Sequence, residues 1–172
     1  RARLGMARTF QRLELFTSLT VRENIRVAGE IRNGWARGKR MNAAAEAERI
    51  IELVGLTSVA DKDVSDIPTG TARVVELGRA LMTRPKILLL DEPASGQTEA
   101  ETDAFGALLQ QLVREDGLTV LLVEHDMSLV MAVCDHIHVL DFGRIIASGT
   151  PDEIRRNQAV LDAYLGAEGE HV

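Results

Sequence analysis

The spacing of the apolar positions changes near residue 85 of this chain. Before that point, apolar residues recur every three or four positions in stretches that end near glycine or asparagine, which is typical of amphipathic helices. After it, short continuous apolar runs alternate with helical stretches, and such runs are typical of the buried strands of a parallel sheet. This order predicts an α/β protein, with a parallel-sheet core and a helical subdomain beside it.

Three helices are predicted in the first half, over residues 21–31, 43–53 and 72–82. Thr20 and Glu23 have the spacing of a capping box at the start of the first helix. Asn33-Gly34 is a breaker pair and predicts the end of that helix. Thr71 is the predicted N-cap of the third helix, because its hydroxyl can accept a bond from the first turn.

The second half predicts alternating strands and helices. Buried strands are expected over residues 87–90 and 118–123, and a third strand is expected over residues 137–140. Helices are expected between them, over residues 99–114 and 127–133. A hairpin partner over residues 144–147 follows the turn Asp141-Phe142-Gly143. Thr150, Pro151 and Glu153 then have the pattern of a capping box that opens a last helical segment.

Two adjacent acids, Asp91 and Glu92, follow the strand predicted over residues 87–90. In open α/β sheets, ligands bind beyond the carboxyl ends of the strands, so these carboxylates are expected to emerge into a site. One carboxylate there can hold Mg²⁺ on a nucleotide, and its neighbour can orient or deprotonate a water. Without further context, a strand that ends in solvated acids explains the same pattern.

The composition and net charge of the chain argue against several classes of protein. The 172 residues carry a net charge of -6 and are only 3% aromatic, which argues against a basic nucleic-acid surface with stacking platforms. The single cysteine excludes an internal disulfide and a cysteine metal cluster. No apolar run reaches the length of a membrane span.

A basic loop over residues 34–40 contains Gly38-Lys39, which is similar to part of a phosphate-binding loop. That loop needs four residues between its glycines and a Ser or Thr after the lysine, whereas here there are three residues and then Arg40. We expect a solvated basic loop, with contact to a membrane partner or to lipid headgroups as the alternative.

Five short motifs together resemble the nucleotide-binding subunits of ABC transporters. Residues 88–93, Leu-Leu-Leu-Asp-Glu-Pro, resemble the Walker B strand. The other four resemble the Q-loop glutamine, the signature loop, the D-loop and the switch histidine, at Gln11, Ile67–Thr71, Ser95–Thr98 and His125 respectively. The resemblance covers nearly the whole chain and implies a partial P-loop NTPase (RecA-like) core with an ABC-type helical subdomain.

Several finer features resemble one branch, the ATPases of branched-chain amino acid uptake systems. They are the stretches of residues 7–11, 124–131, 150–154 and 163–166. The resemblance implies a core of residues 1–11 and 83–172 and a helical subdomain of residues 12–82. It also implies a peripheral position on the cytoplasmic face of the inner membrane, permease partners in that membrane and no nucleic acid.

The resemblance also implies roles for single residues around ATP and Mg²⁺. Asp91 and Gln11 would hold Mg²⁺ through water, Glu92 would polarise the attacking water, and His125 would bond the γ-phosphate. A histidine at a strand end is otherwise more often structural. Thr69, Gly70 and Thr71 of the signature loop would present backbone N–H groups to the nucleotide of a second ATP-binding subunit. The D-loop would pass conformational changes across that dimer through its residues Ser95, Gly96, Gln97 and Thr98.

The sequence departs from the family pattern in the signature loop and the D-loop. Pro68 stands where the signature usually has serine, and we expect Thr69 to compensate for the lost hydroxyl. Thr71 replaces the usual glutamine. Gln97-Thr98 replace the usual Leu-Asp, which puts communication across the dimer in question.

The chain contains no Gly-x-x-x-x-Gly-Lys-Ser/Thr phosphate loop. In the family this loop precedes the Q-loop glutamine, and the chain begins at Arg1 rather than at methionine. We therefore expect a fragment of a longer ATPase that by itself binds ATP weakly and does not hydrolyse it. Two alternatives stay open: a non-hydrolysing interaction module, and a non-transport ATPase of the same superfamily.

Overall fold

The computed structural model describes residues 1–35 and 40–168, with the side chains of residues 164–168 excepted. The chain divides into two compact units, Arg1–Asp126 and Met127–Val172. The basic loop predicted over residues 34–40 falls largely on residues 36–39, which lie outside the described part. The division into residues 12–82 and the rest stays a prediction.

A three-stranded parallel sheet forms the centre of the first unit. Its strands are β1 (Met6–Arg8), β2 (Ile87–Asp91) and β3 (Thr119–Val123), in the order β1-β2-β3. Ala7 pairs with Leu88, which in turn pairs with Val120. The parallel sheet confirms the predicted fold class. Strand β1 was not predicted, because three residues are too few to show a period-2 pattern and only their pairing with β2 defines them.

The sheet is covered on one face only within the described residues. Leu88 and Leu90 of β2 are fully buried, whereas Ile87 is 39% exposed and Leu121 of β3 is 58% exposed. The prediction of a buried strand therefore holds for only one face of β2, and it is wrong for β3, in which no residue is buried. A continuous apolar run does not say how many faces are covered, since covering depends on which elements pack above and below.

Three helices pack together in the first unit: α1 (Val21–Trp35), α2 (Ala43–Leu53) and α3 (Thr69–Leu81). Gly78 of α3 lets α1 approach closely, because a Cβ at this position would lie 3.0 Å from Ile25 Cδ1. Helix α1 begins with the predicted capping box of Thr20 and Glu23.

The predicted end of α1 near residue 31 is wrong, and the helix continues to Trp35. Asn33 does not break the helix, because its side chain is engaged elsewhere. Its amide donates to the carbonyl oxygen of Met41 and its side-chain oxygen accepts from the Met41 N–H, each at 2.9 Å. These bonds join residues eight positions apart, and the dipeptide Asn33-Gly34 by itself does not indicate them.

Helix α3 begins three residues earlier than predicted. It starts at Thr69, its N-cap is Pro68, and no side chain caps it. The first intrahelical bond runs from the Ala72 N–H to the Pro68 carbonyl oxygen at 2.9 Å. The prediction that Thr71 caps this helix is therefore wrong. Proline has a fixed φ suited to the helix start, and this favours initiation at residue 69 over initiation at a later threonine.

Helix α4 (Glu99–Asp116) follows β2 and begins with a capping box of Thr98 and Glu101. The backbone N–H of Thr98 donates to the Glu101 carboxylate, and this bond together with that of the Thr98 hydroxyl lowers the pKa of Glu101. Gly117 ends α4 in the left-handed region, at φ 63°. The chain then enters β3.

The second unit consists of α5 (Met127–Val133), an antiparallel pair of strands and two further helices. The strands are β4 (Ile137–Asp141) and β5 (Arg144–Gly149), which confirms the predicted hairpin. Helices α6 (Pro151–Arg155) and α7 (Gln158–Glu168) complete the unit, and α6 carries the predicted capping box of Thr150 and Glu153. Among the described residues, no helix combines the length and the apolar character that a membrane crossing needs.

Candidate functional site

The carboxyl ends of the three parallel strands bring polar residues from distant parts of the chain to one edge of the sheet. Thr9 and Gln11 follow β1. Asp91 is the last residue of β2 and Glu92 follows it, and His125 follows β3. Parallel strands have all their carboxyl ends at the same edge, and this is where open α/β sheets bind ligands. The sequence-predicted catalytic residues therefore lie together.

Glu92 is the centre of this group. The Gln11 side-chain amide donates to Glu92 Oε2 at 3.1 Å, and His125 Nδ1 lies 4.0 Å from Glu92 Oε1. The His125 side chain is 78% exposed, while that of Glu92 is 33% exposed. One carboxylate thus faces an amide on one side and an imidazole on the other, with an open side toward solvent. Such a carboxylate can accept a proton from a water held at this edge.

The backbone of Glu92 has an unusual conformation. Its φ is 47°, in the left-handed region that residues with a Cβ rarely adopt. The Glu92 N–H donates to the Val123 carbonyl oxygen at 2.9 Å, so the sheet fixes the residue where its strand ends. Strained backbone of this kind often occurs where a side chain must point in a direction that regular structure does not allow.

Asp91 forms an ion pair that the sequence did not predict. Arg8 of β1 donates to Asp91 Oδ2 at 3.0 Å, and the Arg8 guanidinium also lies 4.9 Å from the centre of the Phe10 ring. The Asp91 N–H donates to the Thr9 hydroxyl at 3.5 Å. Because β1 was not predicted, its pairing with β2 was not predicted either, and no feature of the sequence indicated that Arg8 lies next to Asp91.

Glu124 is a second residue that the sequence prediction missed. Its side chain is only 1% exposed, and its oxygens accept from the N–H groups of Ala94 and His125, each at 3.0 Å. His125 Nδ1 lies 3.7 Å from Glu124 Oε2. Glu124 therefore connects the turn after Glu92 to the backbone of the predicted switch histidine. The available signal in the sequence was the position of this acid, directly after the predicted strand over residues 118–123.

The signature loop and the D-loop form a second group in the same chain. A Cβ on Gly70 would lie 3.0 Å from the Gly96 carbonyl oxygen and from Gln97 Cγ, which is tighter than most Cβ contacts in proteins. Gly96 has a φ of 80°, and a Cβ there would lie 3.3 Å from Thr69 Cγ2. The two loops therefore meet through glycines. Ser95 lies in the same turn, where its N–H donates to the Glu92 carbonyl oxygen at 3.3 Å.

Thr69, Gly70 and Thr71 are the first three residues of α3, so their N–H groups have no partner within the helix. The helix dipole favours negative charge at this end. Thr98, by contrast, has a structural contact as the N-cap of α4.

The donor set of the first group fits Mg²⁺. Asp91 offers a carboxylate and Gln11 an amide oxygen, and these hard oxygen ligands suit that ion. Among residues 1–35 and 40–168, no group of three or more His, Cys, Asp or Glu side chains could hold a metal. This is compatible with Mg²⁺, which proteins commonly bind through one or two carboxylates and the phosphates of a substrate.

Comparisons with known proteins extend this picture. The family model described as ABC transporter matches residues 1–95, and the one described as Branched-chain amino acid ATP-binding cassette transporter matches residues 144–170. The High-affinity branched-chain amino acid transport ATP-binding protein BraF of Pseudomonas aeruginosa is 42% identical over 96% of this chain and 69% of its own length. The corresponding protein LivG of Salmonella typhimurium is 39% identical over the same shares.

Solved structures agree with the sequence relatives. The ATP-binding cassette MJ1267 of an ABC transporter superposes with a TM-score of 0.80 at 28% identity, covering 95% of this chain and 69% of that chain. The ABC transporter model matches more than half of the chain, and the relatives exceed 30% identity over more than two thirds of their own length. The chain therefore belongs to the ATP-binding cassette proteins of the ABC transporter family.

Proposed function

We propose that this chain is part of the subunit that binds and hydrolyses ATP to energise an importer of branched-chain or related amino acids. The observation that carries the proposal is the convergence of Gln11, Asp91, Glu92 and His125 at one edge of the sheet. The similarity to BraF over 96% of the chain supports the transport role.

The proposed chemistry is attack of water on the γ-phosphorus of ATP, which gives inorganic phosphate as the bond to the bridging oxygen breaks and ADP leaves. Glu92 orients this water and takes its proton, with the carboxylate held by the Gln11 amide at 3.1 Å. His125, which is exposed beside Glu92, bonds the γ-phosphate. Asp91 and Gln11 would hold Mg²⁺ through water, and the ion would neutralise charge on the phosphates.

We further propose that the start of α3 faces the nucleotide of a second ATP-binding subunit. The N–H groups of Thr69, Gly70 and Thr71 suit an anion. The D-loop residues Ser95, Gly96, Gln97 and Thr98 would carry the signal across this dimer. Within this chain, Gly96 and Gln97 lie against Gly70 of the signature loop, which joins the two loops. Transmembrane permease subunits complete the assembly, with this subunit on the cytoplasmic face of the inner membrane.

A non-hydrolysing interaction module is the alternative that one observation favours. Arg8 occupies one oxygen of Asp91 with its own positive charge at 3.0 Å. The non-transport ATPase alternative has less support, because the net charge is -6 and the relatives are transport proteins.

The test is Mg²⁺-dependent ATPase activity of the complete protein whose reading frame contains this chain. We expect measurable turnover there, and loss of about 10²–10⁴-fold on Glu92→Gln, which keeps the shape but removes the base. The 172-residue chain alone should show no turnover. Turnover that survives Glu92→Gln would contradict the role of Glu92, and a complete protein without turnover would favour the interaction module.

A further inference from the structure

Helix α3 carries a buried pair of opposite charges whose role the proposed chemistry does not use. Arg73 and Glu76 lie one turn apart, their side chains are 8% and 6% exposed, and Arg73 Nη1 lies 3.2 Å from Glu76 Oε2. Removing both charges from water is unfavourable, and further hydrogen bonds are needed to compensate for the lost hydration. The partners of this pair therefore indicate what it is for.

In the part of the chain that the structure describes, the hydrogen-bond partners of this pair belong to the segment of residues 10–14. Arg73 Nη1 donates to the Phe10 carbonyl oxygen at 2.7 Å, and Nη2 donates to that of Gln11. Glu76 Oε1 accepts from the Glu14 N–H at 2.9 Å. Residues 10–14 contain no helix or strand, so these backbone groups have no ladder to pair with. The charged pair takes the place of that ladder.

The same segment carries Gln11, whose side chain contacts Glu92. Gln11 itself is exposed, so packing does not fix its side chain. Its position depends on its backbone, and Arg73 holds both the Gln11 carbonyl and the one before it. A planar guanidinium with two forked donors suits two successive carbonyls, whereas a lysine ammonium does not reproduce that geometry.

We infer that Arg73, oriented by Glu76, is a positioning residue that holds the Gln11 amide on Glu92. The inference deepens the proposed function and rests on it only for its catalytic consequence. It also ties the start of the signature helix to the Q-loop glutamine within one chain, since Arg73 lies four residues after Thr69.

Arg79 on the same helix provides a matched control. It donates to the Glu14 carbonyl oxygen and stacks 4.8 Å from the Phe16 ring centre, so it holds the end of the segment but not Gln11. Because Arg79 contacts Glu14 and Phe16, its replacement by lysine should loosen the segment beyond Gln11 and leave the bonds of Arg73 to the Phe10 and Gln11 carbonyls in place.

The primary experiment records the side-chain amide signals of Gln11 by ¹H–¹⁵N NMR. In Arg73→Lys they should move to the positions found in Glu92→Ala, where the contact is absent, while Arg79→Lys should leave them in place. Unmoved signals in Arg73→Lys would overturn the inference, as would equal movement in both lysine variants, because that would indicate general loosening.

A second measurement covers the case in which Arg73→Lys does not fold. In the unsubstituted chain, the Glu14 amide should exchange with solvent more slowly than an unstructured amide by about tenfold or more, although it lies outside helices and strands. Exchange at the unstructured rate would overturn the inference.

Turnover of the complete protein then separates this inference from the proposed function. Arg73→Lys should lower kcat by about 10- to 100-fold with an unchanged KM for ATP, because the carboxylate and the amide are misplaced rather than removed. Arg79→Lys should leave both constants near their original values. No turnover in the unsubstituted protein would count against the proposed function, while the NMR result would still decide the inference.

Discussion

The left-handed backbone of Glu92 makes a quantitative prediction about stability. At φ 47°, a residue with a Cβ has its side chain too close to its own backbone, at a cost of about 1–2 kcal/mol. Glycine has no Cβ and avoids this cost. The comparison between Glu92→Gly and Glu92→Ala isolates the effect, because both variants lack the carboxylate and its contacts with Gln11 and His125.

The magnitude follows from two opposing contributions. Glycine loses more conformational freedom on folding than alanine, which destabilises it by about 0.5–1 kcal/mol. Subtracting the middle of this range from the middle of the strain range leaves Glu92→Gly more stable than Glu92→Ala by about 0.75 kcal/mol, with about 1.5 kcal/mol as the upper limit. The order is opposite to that in regular structure, where alanine is the more stable of the two.

Urea-induced unfolding followed by circular dichroism measures the difference. Glu52, an exposed residue of α2, serves as the control, since Glu52→Ala should there be more stable than Glu52→Gly by about 1 kcal/mol. If Glu92→Ala equals or exceeds Glu92→Gly in stability, the strain argument for Glu92 is refuted. If Glu52→Ala is not more stable than Glu52→Gly, the assay does not resolve differences of this size.

Two further predictions concern stability. Asn24 is fully buried, and its side-chain oxygen accepts from the Phe16 N–H at 2.9 Å. Asn24→Ala leaves this donor without a partner and should lower the free energy of unfolding, measured by urea titration, by about 1–3 kcal/mol. A loss below this range would mean that water replaces the side chain. The backbone N–H of Thr150 and then its hydroxyl lower the pKa of Glu153, so its contribution to stability is present above the ordinary value of 4.5 and is lost as the pH falls through the lowered pKa. The stability difference between the unsubstituted protein and Glu153→Gln should therefore shrink on acidification below pH 4.5, and a difference that grows there would contradict the assignment.

Much of the fold could be predicted from local patterns. The capping boxes at Thr20, Thr98 and Thr150 are formed within four consecutive residues, so the sequence contains all their parts, although only the first and last were predicted. The strand over residues 87–90 was found from its apolar run, and the two acids after it were placed at the carboxyl edge by the general rule for parallel sheets.

Errors occurred where distant parts of the chain decide. Strand β1 exists because it pairs with β2, some 80 residues later, and its own three residues carry no period. Helix α1 continues through Asn33 because the backbone of Met41 occupies its side chain. The exposed face of β2 depends on what packs above the sheet, which an apolar run does not state.

The sequence by itself determined the family, the fold class and the identity of Gln11, Asp91, Glu92 and His125 as candidate site residues, because motif order and strand ends are linear features. Only the tertiary structure decided their partners. Three sets of contacts join segments separated by about 30 to 83 residues. They are the Arg8–Asp91 pair, the bond of the buried Glu124 to Ala94, and the contacts of Arg73 and Glu76 with residues 10–14. Such contacts depend on where the sheet and the helix bring the chain together, and no local period or propensity encodes that position.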